Sequence, residues 1–425
     1  MTRIVCTSPD LLPENLEPGT EYITVYRSSG RQNVGTVGTG ILRDLERAGF
    51  NPSVQAWDFT TFALAVSASD QAALRSRSSD GWTRIVDLTI SLVEPAPFEA
   101  IRTRLEAMLR YLTGDFWHLS FSDGGEPAAT SAALVQYDAD CVSLLSGGID
   151  SLVGAIDLTA AGLRPLFVSQ MAKGDSETQV RYARHLDAGG RHLQWNQNIR
   201  LPHATERSTR ARSIVFFAFA VLAADELLHQ RRTRVDLVVP ENGFISLNIP
   251  LNAGRMGSLS TKTTHPVFLD RLQEVLTALQ LPLNLLRPYA FKTKGELMSD
   301  CADQVALREL VGESTSCGRF GYYNYTHCGR CVPCLVRRAS FLSADIPDTT
   351  HHYHFHDLRF AGRAKGANDI GAVAAAALRL AREGVRSLTA GQLSFATSDE
   401  REGYEGVVVR GLHELEALLQ REGVL

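Results

Sequence analysis

Between residues 139 and 343, short apolar runs alternate with longer segments of helical spacing. Residues 142–145, 165–169, 192–195 and 235–240 have the brief, β-branched or aromatic character of buried strands. Residues 152–159, 178–186 and 214–228 read as helices between them. Strand and helix in alternation predict an α/β fold with a doubly wound parallel sheet, whose ligands bind at the carboxyl ends of the strands. The pattern before residue 139 differs. Residues 21–26 and 82–92 predict strands, and 98–112 carries the helical stripe Ile101, Leu105, Met108, Leu109 and Leu112, ended by Gly114. These elements predict an N-terminal α+β domain over residues 1–138, with 124–131 as linker. Residues 344–425 are rich in Ala, Leu and Arg and predict a mainly helical region, with helices at 373–383 and 411–419. The middle domain is 139–343.

The longest apolar run, 214–224, is bounded by Arg212 and by Asp225-Glu226. Eleven residues cannot cross a bilayer, so the run predicts a buried helix. The first residues lack the apolar core of a signal peptide, and the expectation is a cytoplasmic protein with no membrane partner. Composition adds little except by exclusion. Of 425 residues 44% are hydrophobic and 21% charged, which excludes a disordered chain. The net charge of −4 argues against a nucleic acid held by counterion release.

Ser146-Gly147-Gly148-Ile149-Asp150-Ser151 follows the first strand of the middle domain and opens a helix. Paired glycines allow a tight turn that brings N–H groups to an anion, and the helix N-terminus adds partial positive charge. Ser146 and Ser151 supply hydroxyls. Asp150 would repel a bare phosphate, so it reads as a Mg²⁺ ligand beside phosphates. On that reading Asp150→Ala abolishes activity with little loss of stability. The plain alternative is a turn with a helix cap. No Walker-type loop is present, and Gly30, Gly35, Gly38 and Gly40 do not match a dinucleotide-loop spacing and read as a loop or turn.

Cys317, Cys328, Cys331 and Cys334 include two C-x₂-C steps. Four thiolates so spaced point to a closed, structural Zn²⁺ site, with Gly329 suited to the knuckle. Free buried thiols or an iron–sulfur cluster are the alternatives. Lys262 and Lys294 lie in polar loops and read as phosphate-binding cations or plain surface lysines. Glu241-Asn242-Gly243 directly follows a strand end; Asn242 reads as a purine-edge contact or as part of a turn. His351–His356 reads as a strand with one aromatic face rather than as a metal site.

The 146–151 loop resembles the Ser-Gly-Gly-x-Asp-Ser loop of the PP-loop ATP pyrophosphatase superfamily. Combined with the cysteine pattern, Arg337 and Phe341, the chain from about 140 to 342 resembles the 7-cyano-7-deazaguanine synthase (QueC) family. Arg212 matches one member of that family's Arg-Asn pair, with Ser213 in place of Asn. Thr293-Lys294-Gly295-Glu296 resembles its Thr-Lys-x-Glu segment. Ser169-Gln170-Met171 stands where the family has Tyr-Gly-Gln, and Ser260-Thr261-Lys262-Thr263-Thr264-His265-Pro266 replaces its substrate-reading segment. With those departures and its flanking regions, the chain looks most like the QueC-like proteins of bacterial anti-phage systems of the Qat type.

The resemblance implies an enzyme that uses Mg²⁺ and ATP to adenylate a 7-carboxy-7-deazaguanine-like carboxylate, releasing pyrophosphate. An amine, from ammonia or a partner protein, then displaces AMP. It implies catalytic roles for Asp150, Ser146, Ser151 and Lys294. ATP contacts are expected at Ser146, Gly147, Gly148, Asp150, Ser151, Ser169, Arg212, Asn242, Gly243 and Lys262. The alternatives are the queuosine-pathway synthase itself, a PP-loop tRNA-modifying enzyme, and a nucleotide-binding assembly subunit without turnover.

Overall fold

The computed structural model describes residues 1–129, 131, 135–230, 233–251, 262–359 and 368–425. In the N-terminal region β1 (Thr2–Thr7), β2 (Thr20–Val25) and β3 (Gly35–Val37) are followed by α1 (Ile41–Ala48) and α2 (Val54–Ala72). Then come β4 (Ile85–Ser91), α3 (Pro95–Ala100), α4 (Arg102–Thr113) and β5 (Phe116–Ser122). The strands form one sheet of order β3-β2-β1-β4-β5 in which every pairing is parallel. The region is therefore α/β, not the α+β domain expected. The reason is α2: every residue from Ala56 to Asp70 is buried, so no polar stripe marks it as a helix. The helix expected at 98–112 is broken at Ile101, which separates α3 from α4.

The second sheet is the parallel one expected. Its elements are β6 (Cys141–Leu144), α5 (Ile149–Ala160), β7 (Pro165–Gln170), α6 (Ser176–His185), β8 (His192–Trp195) and α7 (Arg212–His229). They continue with β9 (Val235–Val238), α8 (Gly243–Leu247), α9 (Pro266–Ala278) and β10 (Leu283–Leu286). The strand order is β10-β9-β6-β7-β8. Because β6 feeds β7 on one side while β9 and β10 lie on the other, the chain reverses direction across the sheet between β6 and β9. A crevice opens there at the carboxyl edge.

α2 lies on the first sheet, α7 on the second, and the two helices pack against each other inside a single apolar core. Their ends cap one another. Asp70, at the end of α2, accepts the backbone N–H groups of Arg210 (2.6 Å) and Ala211 (2.7 Å), just ahead of α7. Asp225, in the last turns of α7, accepts Ser53 N–H (2.7 Å) and Ser53 Oγ–H (2.8 Å) at the N-cap of α2. Asp70 also pairs with the buried Arg84, which shares Asp115 with Arg75. Each of these carboxylates accepts from a buried arginine or from N–H and O–H groups, as burial demands.

The α-helices that follow are α10 (Lys294–Ser299), α11 (Gln304–Leu310), α12 (Val332–Ser343), α13 (Ile370–Glu383), α14 (Arg386–Thr389) and α15 (Ser398–Arg421). The expected helix at 411–419 is the last part of α15. Gly403, Gly406 and Gly411 hide its first part in the sequence, and Gly411 is needed there because a Cβ would lie 2.4 Å from Phe244. No helix among the described residues is long and apolar enough to cross a membrane.

Candidate active site

The 146–151 loop turns at Gly147, whose φ of +89° is left-handed, and Gly148 caps α5. The serines brace the loop. Their hydroxyls lie 3.1 Å apart, Ser146 Oγ accepts Gly148 N–H (3.3 Å), and Ser151 Oγ donates to Gly148 O (3.0 Å). The first turn of α5 carries N–H groups that no helical carbonyl can take. Gly148, Ile149 and Asp150 there line a cavity of about 240 Å³, together with Ser146, Glu241, Lys294, Thr315, Ser316 and Pro333. This cavity occupies the crevice between the ends of β6 and β9. A larger cavity of about 650 Å³, beside Arg308, Arg338 and Phe341, touches none of the expected site residues.

Asp150 is buried at the centre of the small cavity's wall. One carboxylate oxygen is paired with Lys294 Nζ, and the other accepts Asn242 Nδ2–H (2.6 Å) and N–H (3.2 Å). Burial raises the Asp150 carboxyl, but Lys294, Glu241 and Asn242 together outweigh it and hold Asp150 below the usual carboxylate range. Glu241 has the opposite fate. Burial and the adjacent Asp150 charge push it well above its ordinary value, against the smaller pull of Lys294. The two adjacent acids are thus pushed in opposite directions, as expected when two acids share a site. Two adjacent carboxylates are hard oxygen donors of the kind that could hold a divalent cation.

The opposite wall belongs to the cysteine cluster. Thr315 N–H donates to Gly147 O (3.0 Å), and Cys317 lies two residues further on. Cys317, Cys328, Cys331 and Cys334 are all buried, with their sulfurs within 4.8 Å of one another. Two sulfur pairs measure 4.0 and 3.8 Å; a tetrahedron with 2.3 Å metal–sulfur bonds has edges of about 3.8 Å. Backbone N–H groups of Cys328 and Arg319 point at Cys317 Sγ, and those of Cys331 and Arg330 at Cys328 Sγ (3.3–3.5 Å). Gly329 has a left-handed φ of +87° and faces Phe355 O, which a Cβ would meet at 2.3 Å. The four thiols form a group that can hold a metal such as zinc.

No protein-family model, curated protein or solved structure matches this chain.

The expected residues do not all converge. Ser146, Gly148, Asp150 and Lys294 line the cavity; Gly147 and Ser151 shape the loop around it. Arg212 is exposed at the start of α7, near Asp175, which abuts Gly147. Four others lie elsewhere or are already engaged. Asn242 is fully buried; its amide nitrogen holds Asp150 and its oxygen caps α8 at Ile245 N (3.1 Å), so it positions the acid and has no edge left for a purine. Gly243 meets backbone instead of ligand: a Cβ would sit 2.0 Å from Ala290 O. Ser169 is buried, donates to Leu145 O (2.6 Å), and takes its other bond from His192 Nε2 (2.8 Å). The Lys262 ammonium stacks over Tyr111 of α4, 4.2 Å from the ring centre, with Arg210 and Arg271 nearby. Ser260 and Thr261 lie outside the described residues.

The 351–356 segment is not a strand. Only Tyr353 makes a bridge, to His327, and its neighbours pack as aromatic cover beside the thiols.

Sequence reasoning passed over Glu241 as a partner of Asp150, although its place directly after a strand end was the available signal. It also missed what Arg337 does. This wholly buried guanidinium donates to Ser314 O (3.0 Å), Ser314 Oγ (2.6 Å), Ser316 Oγ (3.2 Å) and Val311 O (3.0 Å), tying the cavity wall to α12.

Proposed function

We propose that the protein cleaves ATP between its α and β phosphates and transfers the adenylyl group to a small carboxylic acid, which an amine then captures. The observation that carries this reading is the cluster of buried Asp150 and Lys294 with half-buried Glu241, set against a glycine turn and a helix N-terminus in the crevice between β6 and β9. The turn and helix favour a phosphate chain, and the two acids favour its metal. Mg²⁺ would be held by Asp150 and Glu241 and would offset charge on the phosphates.

In the first step a carboxylate oxygen of the acid attacks the α phosphorus, the bond to the bridging oxygen breaks, and pyrophosphate leaves. Lys294 and the first turn of α5 stabilise charge on that leaving group. In the second step the amine's lone pair attacks the acyl carbon, AMP leaves, and the amine gives up a proton to solvent. Both the motif and its resemblance to deazaguanine synthases favour a 7-carboxy-7-deazaguanine-like acid, in the anti-phage setting that the resemblance implies. The cysteine cluster, loaded with Zn²⁺, would hold Thr315 and Ser316 in place as the cavity wall.

The test is incubation of the full chain with Mg·ATP and 7-carboxy-7-deazaguanine, with nucleotides resolved by chromatography. AMP and pyrophosphate in equal amounts are expected, and ADP with phosphate would overturn the assignment. Ammonia and candidate protein amines are then compared by intact mass. An N-terminal amine, with a pKa of about 7.7–8.0 against about 10.4 for lysine, is the better protein nucleophile near neutrality.

A further inference from the structure

Lys294 is the first residue of α10, and its place depends on how that short helix begins. Thr293 caps it in a reciprocal box: Thr293 Oγ accepts Glu296 N–H (3.1 Å), while the Glu296 carboxylate accepts Thr293 N–H (2.9 Å). The Thr293 hydroxyl has one proton to give, and it goes to Glu414 of α15, 121 residues away in sequence. Glu414 also accepts from Gly295 N–H and from Ser343 of α12. Gly295 is a glycine for this contact, since a Cβ would lie 2.5 Å from Glu414 Oε1 and 2.8 Å from Ser343. One turn earlier on α15, Arg410 pairs with Glu296 and donates to Phe291 O (2.8 Å).

The same helix braces the other side of the cluster. Gly411 lies flat on Phe244, and Val407 lies against Gly243, at the start of the α8 helix that Asn242 caps. α15 thus touches both short helices that begin beside Asp150, α10 at Lys294 and α8 at its cap Asn242.

We propose that α15 is a positioning element of the active site, with Glu414 and Arg410 setting Lys294 against Asp150 through the α10 cap. The C-terminal region then completes the site instead of merely flanking it. The kinetic part of this inference rests on the ATP reading above; the positioning part does not. Glu414 serves as the acceptor for three donors, a role that needs its oxygens in place. Burial, with Glu296 adding repulsion, lifts it to about 7. The charged group that faces it is Glu296 on α10, itself paired with Arg410 of α15; Ser343 is the contact from α12.

The test uses the full chain and two readouts. The first is limited acylation of lysines, mapped by mass spectrometry, with exposed Lys173 as internal reference. Glu414→Ala should raise the modification rate of Lys294 relative to Lys173 by about tenfold, the mark of local opening. Glu414→Gln, which keeps an acceptor oxygen, should restore most of the protection. His413→Ala, on the exposed face of α15, should change nothing. The second readout is pyrophosphate release from ATP. Here Glu414→Ala should lower kcat by roughly tenfold to a hundredfold with KM for ATP within about twofold, because a misplaced group costs rate more than binding. If Glu414→Ala does not fold, Arg410→Met loosens the same cap through Glu296 and takes its place. Unchanged Lys294 protection in a folded variant overturns the proposal. Altered protection in a protein whose wild type releases no pyrophosphate keeps the positioning role and overturns the ATP reading.

Discussion

Asp150 is the residue whose removal separates the structure's account of the site from a loop-only account. Read from the motif, Asp150→Ala deletes a metal ligand at the surface of a loop and leaves stability alone. In the folded chain the carboxylate is buried, pairs with a Lys294 side chain that is 9% exposed, and accepts two N–H groups of Asn242. Removing it orphans a buried ammonium, which costs about 3–5 kcal/mol when no other anion is at hand. Here another is at hand. Glu241, pushed up by burial and by the Asp150 charge, is relieved of that repulsion once Asp150 is gone and can take over Lys294, so part of the loss returns. The expected cost of Asp150→Ala alone is about 2–3 kcal/mol, rising to about 3–5 when Glu241→Gln is added. Asp150→Ala combined with Lys294→Met should cost less than the sum of the single variants by at least about 1 kcal/mol, since the two act on one pair. The assay is equilibrium urea unfolding followed by tryptophan fluorescence, comparing midpoints at common slope, with pyrophosphate release measured in parallel. An Asp150→Ala protein within about 0.5 kcal/mol of wild type, the range of ordinary surface substitutions, would refute the buried cluster.

Three further outcomes follow from the fold. Purified protein should carry about one zinc per chain by elemental analysis, and Cys331→Ala should lose the metal together with Thr315 and Ser316 order; a metal-free, stable and fully active variant would contradict this. Asp70→Ala leaves Arg84 with Asp115 as its one carboxylate partner and strips the cap from α7, so it should cost about 3–5 kcal/mol, read as a lowered thermal midpoint; a change below about 1 kcal/mol would show that the α2–α7 junction is not held this way. Glu414 has its folded value raised from 4.5 to about 7. Folding must then bind a proton as pH rises between those values, so wild type should lose stability relative to Glu414→Gln across that window, by up to about 1.4 kcal/mol per pH unit, and the difference should level off above pH 7. A flat difference from pH 4.5 to 7 would rule out the raised value.

What the sequence by itself determined is what local spacing can carry. In the second sheet β6 to β9 and helices α5 to α7 were legible because each is a short apolar run or a one-sided stripe, whereas α8, α9 and β10 were not read. The 146–151 loop and the four cysteines were legible because their chemistry is written within a few residues of each other. α2 was not legible: a helix buried on every side has no polar face, and without it the N-terminal region read as α+β. Strand direction was also out of reach, since parallel pairing between β1, β2 and β4 joins residues far apart and leaves no mark on any one strand. The same holds within the site. Asn242 and Lys262 were credible ligand contacts as isolated residues, and only packing committed one to Asp150 and α8 and stacked the other on Tyr111. Glu241 and Glu414 gained their roles only because folding placed one carboxylate beside another acid and the other on the cap that holds Lys294. Side-chain type and spacing name the chemistry available; which groups share a dry, crowded volume, and so shift one another's charge, is a property of the tertiary structure alone.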